Sequence, residues 1–184
     1  MYKIYITGTG RCGTTFLIKL FTFLKFDTGY TKENYARSIH KNCNSGMERR
    51  YKDNFHVLKN PSFIDQIETI VAEKSINIEA FIIPIREYKA SVSSRLKHGK
   101  KPGGLWNASD EKSQIEFYNS IMAKYLYHMV KHEIKTIFLD FDAMVNDKQY
   151  LFDKLTPVLT KRNIDYTTFC NAYDEASITS APKA

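Results

Sequence analysis

Residues 2–26, YKIYITGTGRCGTTFLIKLFTFLKF, decide how the rest of the chain is read. YKIYIT is a β-rich run and GTGRCG a glycine-rich loop. TTFLIKLFTFLKF then carries apolar residues at helical spacing through Phe16, Leu17, Leu20, Phe23 and Leu24. Strand, tight loop and helix in that order open a parallel α/β sheet. Working outward, FHVLK reads as a second short strand ended by Pro61. SFIDQIETIVAEK follows as a helix, with Asn60 or Ser62 available to cap it. EAFIIPI is a continuous apolar run of the kind a buried parallel strand needs, and REYKASVSSRLKH after it is helical. HGKKPGGLWN is a loop, DEKSQIEFYNSIMAKYLYHMVKHE a long helix and KTIFLDF a fourth strand. The last third is helical around a break at Pro157. The expected architecture is therefore α/β, a mostly parallel sheet flanked by helices. Ligands of such sheets bind beyond the carboxyl ends of the strands, so the residues after YIT, HVLK, IIPI and FLDF are the ones to search.

The 184 residues suit one domain over 1–184, with a flexible tail expected from about residue 176, where ASITSAPKA begins. Hydrophobic residues at 43% and charged residues at 26% exclude a disordered or fibrous chain. The formal charge of +7 favours an anionic partner. It is concentrated between Arg86 and Lys101, where six basic residues face one acid, Glu87. Cys12, Cys43 and Cys170 fit no zinc spacing and no signal sequence precedes them, so reduced thiols and a cytoplasmic location are expected. FLIKLFTFLKF is interrupted by Lys19 and Lys25 and is too short to span a membrane.

Gly8, Gly13, Thr14 and Thr15 keep the spacing of a P-loop, but Thr14 stands where that pattern requires Lys. The loop still supplies what an anion needs: inward-turning amides, a helix N-terminus and two hydroxyls. Arg11 supplies a cation. TGTGRCGTTFL resembles the 5′-phosphosulfate-binding loop of the PAPS-dependent sulfotransferases, written Lys or Arg, Ser, Gly, Thr, Thr. The resemblance implies that Arg11, Cys12, Gly13, Thr14, Thr15 and Phe16 hold the 5′-phosphosulfate of PAPS. Cys12 stands in place of Ser and contributes through its backbone N–H.

IIPIREYKASVSSR is similar to the second motif of that family, an Arg with a Ser eight positions later that together bind the 3′-phosphate. Arg86 and Ser94 match it, with Ser93 as the alternative in register, and Arg95 is expected to face solvent. HVLKNPSF resembles the family's Lys-Asp-Pro segment, with Asn60 for Asp, which implies that Lys59 neutralises the leaving phosphate. An attacking hydroxyl also needs a base. Glu33 matches the placement of the Glu used by tyrosylprotein sulfotransferases, and His56 and His40 are the other candidates. FLDFDAMVNDKQYLFDKL is similar to the family's Tyr-Glu-Asp-Leu region. Phe141 stands at the Tyr position, where it could stack on adenine, and Asp142 stands at the Glu.

The resemblance thus implies a sulfotransferase that moves the sulfuryl group of PAPS to a hydroxyl or amine acceptor and releases PAP. Arg11, Lys59 and a base among Glu33, His56 and His40 carry the chemistry, and no metal takes part. The acceptor is a small molecule, glycan or peptide, with no membrane and no nucleic acid. Two other readings stay open. A P-loop kinase would use Asp140 or Asp142 as a Walker B carboxylate but lacks the loop lysine. A nucleotide- or RNA-binding module would use the basic segment. His128 and His132 have the i, i+4 spacing of metal ligands, but the sequence offers no third ligand, and they read as core or solvated histidines. Trp106, in its glycine-rich loop, reads as a lid residue.

Overall fold

The computed structural model describes residues 2–40, 43, 45–98 and 103–178. Four strands, β1 (Tyr2–Ile6), β2 (Val57–Lys59), β3 (Asn77–Ile85) and β4 (Thr136–Asp140), form one all-parallel sheet in the order β2-β1-β3-β4. The chain leaves β1 toward β2 on one side and returns to β3 on the other. The strand order therefore reverses between β1 and β3, and a crevice opens at their carboxyl ends. β1 pairs Ile4–Ile6 with Val57–Lys59 on one edge and with Ala80–Ile82 on the other.

Alternation along the strands builds two apolar layers. Ile4, Ile6, Ala80 and Ile82 face one side, where α1 (Thr14–Phe23), α6 (Lys148–Leu159) and α7 (Tyr166–Ile178) supply the covering residues. Tyr5, Leu58, Phe81 and Ile83 face the other, under α2 (Ile67–Ala72) and α4 (Glu111–Lys131). Tyr5 stacks on Phe81 and meets the edge of Phe63 at ring separations of 5.0 and 5.1 Å. α1 buries every residue except Thr15. Such a helix belongs in an interior, and this one lies between the sheet and α7.

α3 (Tyr88–Leu96) leaves β3 through Glu87, whose carboxylate accepts the amides of Lys89 and Ala90 at 2.8 and 2.6 Å. Asn60 receives the amide of Ser62 at 3.0 Å and starts a 3₁₀ segment over Pro61–Gln66, which shortens the α-helix expected there to α2. The expected break at Pro157 is overturned. α6 runs through Pro157 to Leu159, because Leu151, Leu155, Val158 and Leu159 are buried and their packing outweighs the lost backbone bond. The helical breaks fall instead at Asp147, which divides α5 (Phe141–Asn146) from α6, and before α7. α7 continues through Ala176, which is buried, and residues 179–184, where the rest of the expected tail falls, lie outside the described ones. No helix among the described residues is long and apolar enough to cross a membrane.

Candidate anion-binding site

A cavity of about 760 Å³ opens at the carboxyl ends of β1, β2 and β3. Its floor is the loop after β1 and the first turn of α1, contributing Gly10, Arg11, Gly13, Thr14, Thr15 and Phe16. A helix leaves its first amides without partners inside the helix. No side chain caps α1, because its N-cap is Gly13. Gly13 has φ +87°, and a Cβ there would fall 2.5 Å from Met144 Cε and 3.1 Å from the Phe141 ring. Only glycine meets both demands. Cys12 turns beneath the loop: its side chain is fully buried against Gly8, and burial pushes its thiol up, so Cys12 offers the cavity no reactive thiolate.

Arg86 follows β3 directly. Its guanidinium stacks on Phe141, 4.4 Å from the ring centre, and its Nη1 donates to the carbonyl of Arg11 at 3.2 Å. Ser94, two turns into α3, accepts from Nε and Nη2 of Arg11 at 3.1 and 2.9 Å. Of the two serines, Ser94 is the one bonded to the cavity wall, whereas Ser93 is exposed. Arg11 itself sits at φ +57° and also donates to the carbonyl of Cys43. Its side chain reaches Ser94 and so bridges the first loop to α3. Burial pulls its guanidinium below the ordinary value, with neighbouring Arg95 and Arg86 adding to the effect, yet an arginine remains charged.

The solvent-facing role expected for Arg95 is overturned. Arg95 is 7% exposed and donates to Tyr118 Oη at 2.5 Å, the carbonyl of Gly104 at 2.5 Å and the carbonyl of Thr9 at 3.1 Å. Its position beside Val92 on the buried face of α3 accounts for this. It lies so close to Gly10 that a Cβ there would meet Nη2 at 2.3 Å.

From β2, Lys59 enters the same cavity, buried to 1% exposure. Its Nζ donates to the carbonyl of Gly46 at 3.0 Å and to Glu48 Oε1 at 2.5 Å. Burial pulls its pKa down and the Glu48 carboxylate pulls it back up, leaving it below the ordinary lysine value. One turn beyond Thr15, Lys19 also lines the cavity, donates to the carbonyl of Ala176 at 3.0 Å and is lowered by burial to about 8. Among the described lining residues, the cations Arg11, Lys19, Lys59, Arg86 and Arg95 face a single carboxylate, Glu48. This excess of positive charge favours an anion in the cavity.

Neither the models of known protein families nor the curated proteins match this chain.

Of the residues proposed from sequence, Arg11, Gly13, Thr14, Thr15, Phe16, Lys59 and Arg86 line the cavity, and Ser94 is bonded to its wall. Two candidate bases do not reach it. Glu33 is exposed on the turn around Thr31 and is absent from the lining. His56 precedes β2 and therefore lies at the amino end of the sheet. There it bonds Glu79 Oε2 at 2.9 Å, accepts from Arg162 at 3.2 Å, stacks on Phe26 and lines a separate cavity of about 370 Å³. His40 is exposed as well. The carboxylate that does line the cavity is Glu48, in a stretch without regular structure where sequence periodicity carries no signal. Lys19 was legible only as a charge interrupting an apolar helix.

Trp106 lines the cavity, but Gln114 holds it on both sides, accepting from its amide at 2.7 Å and donating to its carbonyl at 3.2 Å, so it is a fixed wall. Asp140 caps α5 by accepting the Ala143 amide at 2.7 Å, and Asp142 is exposed. Neither is among the residues lining the cavity. In the basic segment, Arg86 and Arg95 belong to the cavity, and Lys100 and Lys101 lie outside the described residues.

Proposed function

We propose that the chain is a PAPS-dependent sulfotransferase with a P-loop-like sulfotransferase fold, transferring a sulfuryl group from PAPS to a hydroxyl acceptor and releasing PAP. The observation that carries this reading is the meeting of two anion sites in one cavity. The uncapped N-terminus of α1 with Thr14 and Thr15 forms one, and Arg86 with the Arg11–Ser94 pair forms the other. A nucleotide phosphorylated at both ends of its ribose uses both sites, whereas ATP leaves the second idle.

In this reading the loop amides and the hydroxyls of Thr14 and Thr15 hold the 5′-phosphosulfate, and Arg86 and Ser94 hold the 3′-phosphate. Arg11 ties the two sites together. Phe141, already beneath the Arg86 guanidinium, offers a face to adenine. Glu48 replaces Glu33 and His56 as the base. It accepts the proton of the acceptor hydroxyl as the oxygen attacks sulfur in line, and the S–O bond to the 5′-phosphate breaks. Lys59, beside it, stabilises the charge that collects on the leaving phosphate oxygen. Positioning and fixed charge do the work, without a covalent intermediate.

The test is thermal unfolding of the purified chain with PAP, with ATP plus Mg²⁺, and with a single-stranded oligonucleotide, at matched ionic strength. PAP at 100 times its dissociation constant is expected to raise the midpoint by roughly 5–10 °C. A rise with ATP and Mg²⁺ but not PAP would replace this reading with a kinase. A rise with the oligonucleotide alone would replace it with a nucleic-acid-binding module.

A further inference from the structure

One group of side chains outside the cavity is arranged as ligands. His128 and His132 lie one turn apart on α4, and their rings are parallel within 7° with centroids 6.1 Å apart. Glu68, in the first turn of α2, reaches across to both. Its Oε1 is 3.4 Å from His128 Nδ1 and its Oε2 is 3.1 Å from His132 Nε2. Both ring nitrogens are buried, yet neither makes an aligned hydrogen bond. One ligand atom from each of the three side chains falls within 4.8 Å of the others. Bonds of about 2.0–2.1 Å to a tetrahedral zinc ion would place ligand atoms about 3.3 Å apart. The separation of Oε2 from His132 Nε2, 3.1 Å, already matches.

We propose that Glu68, His128 and His132 form a binding site for one divalent transition-metal ion, zinc by its ligand set, that clamps α2 against the C-terminal half of α4. Two imidazoles and one carboxylate are a borderline-soft donor set that suits zinc above magnesium or calcium. Lys131, which donates to Glu68 Oε1 at 2.7 Å, leaves Oε2 to serve as a monodentate ligand. The ion gives the two buried ring nitrogens, which contact Glu68 without an aligned hydrogen bond, a directed partner, and it meets the carboxylate with the opposite charge. It fixes α2, only six residues long, to the longest helix of the chain. With three protein ligands, the fourth position is left to water. None of the three residues lines the nucleotide cavity, so the site is independent of the proposed transfer chemistry.

The test uses the full chain stripped with a chelator and titrated calorimetrically with Zn²⁺, followed by Co²⁺ as a spectroscopic probe. One Zn²⁺ per chain is expected, together with a thermal midpoint raised by roughly 5–10 °C at 100 times the dissociation constant. Cobalt is expected to show visible d–d bands without a thiolate charge-transfer band. His132→Gln and Glu68→Gln should each weaken binding about tenfold or more, while Cys43→Ser should leave it unchanged. Absence of binding at 100-fold excess metal would overturn the proposal. So would unaltered affinity in the Gln variants, or a thiolate band in the parent protein, which needs no variant to fold.

Discussion

In the proposed transfer Lys59 and Glu48 have separate parts: a buried ammonium inside the cavity, and a carboxylate that reaches the outside and can pass a proton to water. Burial lowers the lysine's pKa, and the contact at 2.5 Å acts against that by favouring its charged form. Lys59→Ala is expected to lower turnover by roughly 10²–10³ while PAP affinity is largely kept, because the charge is needed most as the leaving oxygen becomes an anion. Steady-state rates together with PAP inhibition constants check this, and equal losses in both would make Lys59 a binding residue only. Glu48→Gln should cost about 10²–10⁴ in turnover, and Glu33→Gln should be indistinguishable from the parent. The reverse outcome would return the base to the Thr31 turn. Arg86→Ala should weaken PAP and spare adenosine 5′-phosphosulfate, which lacks the 3′-phosphate. Equal losses for the two nucleotides would remove Arg86 from that phosphate.

At the scale of elements, the site exists because a strand, a loop and a helix are forced into one conformation. Gly13 ends the loop in left-handed backbone and lets Phe141 and Met144 of α5 close against it. Gly13→Ala combines an unfavourable φ, worth about 1–2 kcal/mol, with an overlap of Cβ on Met144 Cε. The midpoint is expected to fall by roughly 4–8 °C, as read by circular dichroism, and anion binding should weaken with it. A midpoint within a degree of the parent would mean that the loop relaxes at no cost.

These elements were legible in the sequence because their signals are local. Four strands and α1, α3 and α4 follow from periodicity, and the Gly8–Thr15 spacing marks the tight turn from β1 into α1. What was not legible is tertiary. Arg95 was read from its charge, but the face it shares with Ser91 and Val92 buries it under the loop. Pro157 was read from its missing N–H, but core contacts from four neighbours carry α6 through it. Glu48 lies between residue 39 and β2, where one isolated bridge, Ile39 with Gly46, sets the chain's path. Only long-range folding could place it beside Lys59, and only the packing of α2 on α4 could supply Glu68 to the two histidines.

For the whole molecule, the concentration of positive charge in one cavity is a cost that a bound anion offsets. In the proposed reading the net charge of +7 draws the nucleotide in from solution, and the buried lysines contribute to its selection. Lys19 makes the coupling measurable, because burial holds it at about 8 against about 10.4 in an unfolded chain. Between those values the unfolded chain binds the proton and the folded one does not, so stability rises with pH across that window. Lys19→Met removes the titration. The parent should therefore gain stability relative to the variant as pH goes from 8 to 10, with the two differing most below pH 8. A bound polyanion raises the Lys19 pKa, so nucleotide binding takes up protons near pH 8, and the PAP-induced rise in the parent should shrink as pH passes 8. Denaturant unfolding of parent and variant at pH 7, 8.5 and 10, each with and without PAP, measures both trends. Parallel curves for the two proteins would detach Lys19 from the cavity's electrostatics and leave anion selection to Arg11, Lys59 and Arg86.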